Sequence, residues 1–364
     1  MKRFTICAAI VFLLTPTLLL SQTTTEEENE DLQGIMRRLA EGAAKAYVNP
    51  IVSGFGTNLN SGWFHRAPWA TMFGFDFEFG LVGMATQFQD ENRSFTSGGS
   101  FRFTDEQATF LAQQSNAPAQ YQADVKNAIL SQEFQVTFNG PTIVGKKADS
   151  LRVGFPGKTI TVNTSAGQQT YTLPAQLFAL PVTGLLEDAP AFPLGTPQLT
   201  IGTILGSQFT FRYLPDVEID EKVGSFKFFG WGIQHNPMVW FGEDALPFEV
   251  SLGYFTQNLK VGSLMDVKAS AFGINASARL GWGFLNLTPY VGYMKESSTI
   301  DFTYELEVAT PTGPVMQPIA FGLESENTSR LTFGLSIKIL LINVNADVNL
   351  GKYKAYSAGV MIII

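Results

Sequence analysis

The sequence has 364 residues, of which 13% are aromatic and only 15% are charged. In soluble domains about a quarter of the residues are charged, so this composition argues against an ordinary soluble protein. With 32 acidic and 24 basic residues the formal net charge is −8, which argues against a nucleic-acid partner.

The first predicted element is a secretory signal peptide at residues 1–21. Lys2 and Arg3 precede an apolar run at residues 4–20, the order typical of such signals. Its removal would lower the basic residues from 24 to 22 against 32 acidic ones, a net charge of −10. Because the only cysteine, Cys7, lies in this segment, we expect no disulfide in the exported chain. The alternative is a buried first helix of a cytoplasmic protein.

An acidic tail and a helix come next. Residues 22–31 are acidic and polar, which predicts a tail without regular structure. Apolar residues at helical spacing then predict a helix that stops before Asn49 and Pro50, and residues 51–69 read as an irregular Gly/Asn-rich stretch. The helical positions are Leu32, Ile35, Met36, Leu39, Ala43 and Tyr47.

From residue 73 onward, apolar and polar residues alternate with the period of a β-strand. The same pattern returns at residues 208–213, 248–254, 272–280, 331–339 and 344–350, and no apolar face in these segments carries a charge. A charge on a lipid-facing surface costs about 2–4 kcal/mol, so its absence is expected in a membrane strand. The first segment places Phe73, Phe75, Phe77, Phe79 and Leu81 on one face, with Asp76 and Glu78 on the other.

This alternation predicts an all-β fold, a transmembrane antiparallel β-barrel of about 12–14 strands at residues 70–364. The alternative is a soluble β-sandwich, in which the apolar faces turn inward. Long runs favour the membrane: residues 199–213 alternate throughout, whereas globular strands usually have about 5–6 residues. Beyond the signal, no run approaches the roughly 20 apolar residues of a membrane-spanning helix.

Residues 104–198 interrupt the barrel pattern and predict a long loop or insert. Thr104 and Gln107 form a capping box that opens one helix, and a second helix is expected at residues 123–130. A hairpin is expected from residues 158–162 and 171–173, before a proline-rich run at 181–197. Residues 134–138 are a candidate additional barrel strand.

If residues 70–364 form a barrel, residues 22–69 are an acidic tail, a helix and a hatch-like segment that plugs its lumen. The predicted hatch residues are Tyr47, Asn49, Pro50 and Trp63. A helix resting on the barrel rim is the equal alternative. The residues predicted to face the lumen either pair with each other or line a polar substrate path. They are Asp76, Glu78, Arg212, Glu249, Asn275, Ser277, Arg279, Lys338, Asn345 and Asp347.

Catalytic and cofactor motifs are sparse. The two histidines, His65 and His235, are too few for a zinc site built from His and Cys, and no nucleotide-binding glycine motif is present. We therefore expect no metal, no cofactor and no enzyme activity. A lipid hydrolase, which would depend on His235 and a nearby serine, is a minor alternative.

Several segments carry a family resemblance. They are YVNP, TNLNSGWFH, LTIGTILGSQFTFRYLP, FFGWGIQHNP and LPFEVSLGYFTQNLKVG. Together they resemble an uncharacterised outer-membrane family of Bacteroidota, which is distantly similar in architecture to the FadL/TodX transporters of hydrophobic compounds. That resemblance implies fourteen strands, an N-terminal hatch and release of apolar molecules through an opening in the wall. The sequence departs from many such barrels by ending in VMIII instead of an aromatic residue.

Two functions follow as hypotheses. The first is a channel in the outer membrane of a Gram-negative bacterium that passes fatty acids or similar hydrophobic small molecules. The second is an outer-membrane scaffold or secretion accessory that does not transport. Both imply contact with outer-membrane lipid and with the outer-membrane assembly machinery.

Overall fold

The computed structural model describes residues 32–115, 117–164, 167–220, 224–241, 246–263, 265–282, 284–310 and 313–364. The predicted signal peptide and acidic tail lie outside these residues. The chain divides into two compact units. Within the described residues, the barrel unit comprises Ile51–Gln89 and Ala189–Ile364, and the insert unit comprises residues 32–50 and Asp90–Asp188. None of the described helices is long and apolar enough to cross a membrane.

The barrel unit contains the main antiparallel sheet. Its strands are β1 (Phe73–Gln87), β8 (Ala191–Ile204), β9 (Ser207–Asp220), β10 (Gly224–His235), β11 (Glu249–Val261), β12 (Met265–Ser277), β13 (Leu280–Trp282), β14 (Leu285–Thr310), β15 (Gly313–Glu324), β16 (Ser329–Ile339), β17 (Ile342–Leu350) and β18 (Lys354–Ile363).

Ten of these strands close into a ring. The order is β1, β8, β9, β10, β11, β12, β14, β16, β17 and β18, and β18 pairs with β1. The ring is complete because β12 also pairs with β14. Strands β13 and β15 pair only with β14, so the described sheet has twelve strands. The predicted antiparallel barrel is confirmed. The fourteen strands implied by the family resemblance are not found in the described residues.

Side-chain exposure alternates around this ring as the sequence predicts. On β1 the outward Phe73 and Phe75 are 85% and 76% exposed, whereas the inward Glu78 is 1% exposed. The same division holds on β16, where Phe333 is exposed and Thr332 is buried. A soluble sandwich would bury its apolar faces, so this ring with apolar residues outside and polar residues inside is a membrane-spanning barrel.

The apolar outer band ends near one end of the ring. We call this the insert end, where β1 finishes at Gln87 and β8 starts at Ala191. There the outer face of β9–β14 carries charged side chains in exposed ion pairs, which mark the boundary between the membrane core and water. The pairs are Lys227–Asp216 at 3.3 Å, Lys260–Asp266 at 3.2 Å and Lys268–Asp301 at 4.0 Å.

Helix α1 (Leu32–Asn60) runs past the predicted stop, because Pro50 lies inside it. The expectation that it ends before Asn49 was therefore wrong, and residues 51–60 are helical instead of irregular. A proline inside a helix removes one hydrogen bond and costs about 3 kcal/mol in isolation. Tyr47, Val48 and Val52 around it are buried, so packing outweighs this local cost.

The insert unit has its own helices and sheets. Helices α2 (Asp105–Gln114) and α3 (Gln122–Leu130) confirm both predicted helices, and the Thr104 N–H donates to Gln107 Oε1 at 3.2 Å. One sheet has the order β2, β3, β4, β7, and β5 pairs with β6 as the predicted hairpin. Its strands are β2 (Ser94–Phe101), β3 (Phe134–Pro141), β4 (Leu151–Phe155), β5 (Lys158–Thr164), β6 (Gly167–Leu173) and β7 (Gln176–Leu180).

The insert differs from the prediction at both boundaries. Strand β3 is present at residues 134–138 but pairs with β2 and β4, so it is not a barrel strand. The proline-rich run ends inside barrel strand β8, and the insert therefore covers Asp90–Asp188 instead of 104–198. Pro193 and Pro197 are accommodated because β9 pairs with β8 only from Gln198 onward. A strand with one bonded neighbour tolerates proline.

Candidate functional site

The lumen of the barrel is the candidate site, and a stretch of the chain lies inside it. We call Ile51–Ala70 the inner segment. The Gly54 carbonyl accepts from Thr86 of β1 at 3.1 Å, near the insert end of the ring. The Ala67 N–H donates to Ser277 Oγ at 2.9 Å, at the opposite end. The inner segment therefore crosses the lumen from one end of the ring to the other.

Arg66 joins the inner segment to two carboxylates of β1. Its Nη2 donates to Glu78 Oε1 at 2.6 Å and also contacts Asp76, while His65 Nε2 lies 2.7 Å from Glu78 Oε2. All four side chains are buried. Because a buried charge is costly unless it is paired, this cluster holds the inner segment against β1. The Arg66 guanidinium also lies 5.3 Å from the Trp69 ring centroid.

Arg212 of β9, two strands away from β1 in the ring, makes a second attachment to the inner segment. Its guanidinium donates to the carbonyls of Ser61 at 2.9 Å and Leu59 at 3.4 Å, and to Gln198 Oε1 at 2.9 Å. It also lies 4.1 Å from the Trp63 ring centroid, a cation–π distance. These carbonyls belong to the last helical turn of α1 and the residue after it, where backbone acceptors lack helical partners. Arg212 therefore caps the end of the helix inside the lumen.

An apolar patch lies in the lumen between the inner segment and β11–β14. Trp63 stacks on Phe255 with centroids 5.1 Å apart, and Phe64 meets Tyr290 edge-on at 6.0 Å. Ala271 and Met294 complete the cluster. Its neighbour Asn275 is buried, and neither amide atom has a hydrogen-bond partner among the described residues.

Further polar contacts bind strands to each other inside the ring. Arg330 Nη1 donates to Glu296 Oε2 at 3.0 Å with both side chains buried. Asp347 accepts from Tyr290 at 2.9 Å, Asn349 at 2.6 Å and Ser357 at 2.5 Å. This pairing satisfies most buried polar groups of the lumen, as a closed interior requires.

The predicted lumen residues fall into two groups. The buried ones are Asp76, Glu78, Arg212, Asn275, Ser277, Asn345 and Asp347. All of them except Asn275 hydrogen-bond to the inner segment or to other lumenal side chains. Glu249, Arg279 and Lys338 lie near the end of the ring at which β8 finishes and β9 starts, and they are only half-buried or exposed. Arg279 faces the lumen mouth, since it stacks over Trp69 at 5.2 Å. A substrate path along these residues stays a prediction.

The four predicted hatch residues separate between the two units. Trp63 lies in the lumen, but Tyr47, Asn49 and Pro50 belong to the insert unit. The Tyr47 hydroxyl donates to the Thr183 carbonyl at 2.8 Å, and burial raises the pKa of Tyr47 to about 12, which keeps this donor protonated. The role of these four residues as a hatch stays a prediction.

Sequence reasoning did not identify His65 and Arg66 as the partners of the β1 carboxylates. It also missed Gln198 and the buried Glu296–Arg330 pair. Two carboxylates on the inward face of β1 require a basic partner, and this requirement was the signal available in the sequence. A basic pair only about ten residues upstream, in the sequence FHRAPW, was the nearest source.

The hydrolase alternative has one supporting contact. Ser207 Oγ lies 3.0 Å from His235 Nδ1 across the β9–β10 pair. Within the described residues, no carboxylate pairs with the other ring nitrogen of His235, so the third group of a hydrolytic triad is missing there. Nor does the described part of the chain group three or more His, Cys, Asp or Glu side chains at a metal-binding distance.

The closed ring, its apolar exterior and its occupied polar lumen define a transmembrane β-barrel of the outer-membrane type. The chain belongs to DUF6588, a family of unknown function whose model matches residues 1–364. A search of curated proteins found no significant match.

The chain has low similarity to several solved structures of outer-membrane proteins. A loop-deletion mutant of OmpT, an outer membrane protein of Vibrio cholerae, is 10% identical over 80% of this chain and 99% of its own, with a TM-score of 0.22. The outer membrane protease OmpT from Escherichia coli is 8% identical over 81% and 98%, with a TM-score of 0.24. The translocator domain of the autotransporter NalP from Neisseria meningitidis is 10% identical over 92% and 95%, with a TM-score of 0.22. These scores are too low to transfer any activity.

Proposed function

We propose that this protein is a channel for small hydrophobic molecules in the outer membrane of a Gram-negative bacterium, and that the inner segment closes it. Residues 1–21 would direct export, and the outer-membrane assembly machinery would insert the barrel. The observation that carries the proposal is how the inner segment is attached. Among the described residues, no backbone-to-backbone hydrogen bond joins Ile51–Ala70 to the ring. The segment can therefore move without opening the wall.

The apolar patch supports a hydrophobic cargo. Movement of the inner segment would separate Trp63 and Phe64 from Phe255, Tyr290 and Met294. The wall would then present an apolar surface inside an otherwise polar lumen. Asn275 borders this surface with an unpartnered amide, which suits a molecule with an apolar body and one polar group, such as a fatty acid.

A disulfide lock tests the channel. A Cβ added at Gly54 would lie 3.8 Å from the Cβ of Phe192, which matches the usual separation of about 3.8 Å in disulfides. Cells would carry Gly54→Cys with Phe192→Cys, and uptake of a fluorescent fatty acid would be measured before and after reduction. We expect uptake above that of cells without the protein, loss of this excess in the oxidised lock, and recovery with reductant. Uptake that does not depend on the protein would refute the channel.

The second candidate is a scaffold that does not transport. One observation favours it: β7 is the edge strand of the insert sheet and exposes apolar side chains, with Leu177 68% and Phe178 57% exposed. Exposed apolar edges are binding sites for other chains. In-cell crosslinking should then recover a stoichiometric partner, and Phe178→Lys should abolish its recovery while fatty-acid uptake is unchanged.

We also propose that the barrel has no hydrolase activity despite the Ser207–His235 contact. Hydrolysis of a fluorogenic fatty-acyl ester by purified protein should remain at the buffer rate, and His235→Ala should not change it. A rate above buffer that His235→Ala removes would establish an enzyme.

A further inference from the structure

The outer surface of the barrel has a pocket at the junction of β12, β14 and β16. Its volume is ≈ 380 Å³. It forms where β14 changes partner, since β16 pairs with β14 as far as Lys295 and β15 pairs with it from Thr299 onward. Side chains from the outward face line it, among them Ser270, Phe272, Tyr293, Lys295, Ser297 and Ser329.

The pocket lies at the level where the outer face changes from apolar to polar. Along β14 the outward residues pass from Val291 and Tyr293 to Lys295, Ser297 and Asp301. The partners of Lys295 are Phe272 on β12 and Ser329 on β16. In a membrane barrel this level is occupied by lipid headgroups. Acyl chains lie against the apolar, aromatic outer face on one side of it, and water lies on the other side.

The charge in the pocket is positive and unpaired. Lys295 is exposed and, within the described residues, forms no ion pair, whereas the nearby Lys268 lies 4.0 Å from Asp301. Glu296 also lines the pocket, but its carboxylate is buried and bonded to Arg330 at 3.0 Å. The polar groups facing outward are therefore one ammonium and several hydroxyls, which together suit an anion with several acceptor oxygens.

We propose that this pocket binds the phosphate group of a membrane lipid, with Lys295 as the ionic contact, the serine hydroxyls as further donors, and Phe272 and Tyr293 against the acyl chains. A surface hollow at this depth is filled by lipid in the membrane. An ammonium beside headgroups favours anionic ones through charge alone. The site does not depend on whether the lumen conducts.

The test is native mass spectrometry of the full-length purified barrel titrated with phosphatidic acid, and separately with diacylglycerol of the same acyl chains. We expect one phosphatidic acid to bind about tenfold more tightly than diacylglycerol, and about tenfold more tightly than it binds to Lys295→Gln. The matched control Lys268→Gln removes a lysine already paired with Asp301, and it should change binding by less than about twofold. Each variant is taken as folded if the unheated sample runs faster than the boiled sample on a detergent gel, as expected of a closed barrel.

A third titration adds inorganic phosphate to the phosphatidic acid complex. Lack of competition assigns the site to a lipid headgroup, and full competition assigns the same phosphate chemistry to the free ion. Equal binding of phosphatidic acid and diacylglycerol would overturn the proposal, and so would unchanged binding in folded Lys295→Gln.

Discussion

At the scale of single residues, the side chains with buried charges are those expected to contribute most to the free energy of unfolding. Arg66 forms ion pairs with both Asp76 and Glu78, and all three side chains are buried. Removal of one partner from such a cluster leaves an uncompensated charge and typically costs about 3–5 kcal/mol. We expect Arg66→Gln to lower the free energy of unfolding by that amount, measured by urea titration of the barrel in lipid vesicles.

Matched variants separate this effect from a general loss of arginine. Arg102 lies on the surface, 3.5 Å from Glu133, and Arg102→Gln should cost less than about 1 kcal/mol. Combining Arg66→Gln with Glu78→Gln should recover part of the loss, since one unpaired carboxylate is removed. Equal costs for Arg66→Gln and Arg102→Gln would contradict the buried cluster.

Arg212 provides a second test at this scale. Arg212→Lys keeps the charge but loses the planar group that contacts two backbone carbonyls, Gln198 and the Trp63 ring. We expect it to destabilise the barrel by about 2 kcal/mol and to change Trp63 fluorescence in the folded state. Lys260→Arg at an exposed ion pair serves as the control and should change neither quantity.

The sequence indicated which ring residues face inward but not what they touch. Alternation alone placed Asp76, Glu78 and Arg212 on the inward face, and all three are buried there. Their partners His65, Arg66 and Ser61 come from a segment with no strand period. Contacts between distant segments depend on tertiary packing, on which a two-residue period carries no information.

At the scale of elements, helix α1 and strand β3 show where local rules fail. Pro50 is a strong stop signal in isolation, yet buried neighbours carry the helix through it. Residues 134–138 have a strand pattern, but no local signal indicates that their partners are β2 and β4 instead of the barrel. The barrel strands were predictable because a lipid-facing surface imposes a strict pattern on every second residue.

A charge on the outward face of a strand tests the membrane band directly. Leu335 lies midway along the exposed apolar face of β16. Leu335→Arg should lower the free energy of unfolding in vesicles by about 2–4 kcal/mol, because the charge must enter the bilayer core. Thr299 lies on the outward face of β14 beyond the apolar band. Thr299→Arg should therefore lower the free energy of unfolding by only about 0–1 kcal/mol. Equal costs at the two positions would exclude the proposed membrane level.

At the scale of the whole molecule, a closed ring has no strand edge at which detergent can begin to unravel it. The β12–β14 and β18–β1 pairings close it. We expect the unheated protein to run faster on a detergent gel than the boiled protein. Val348 is an outward residue of β17, a strand that is bonded on both sides. Pro substitution there should abolish the difference, whereas Thr161→Pro in the insert hairpin should preserve it.

The occupied lumen is the central claim, and disulfide formation tests it most directly. With Cys7 replaced by serine, Gly54→Cys would be combined with Phe192→Cys in one variant and with Pro193→Cys, on the outward face, in the other. Oxidation in cells should give near-complete crosslinking for the first pair and none for the second, because only the first places its Cβ atoms 3.8 Å apart. Similar crosslinking in both variants, or none in either, would show that the inner segment does not lie in the barrel.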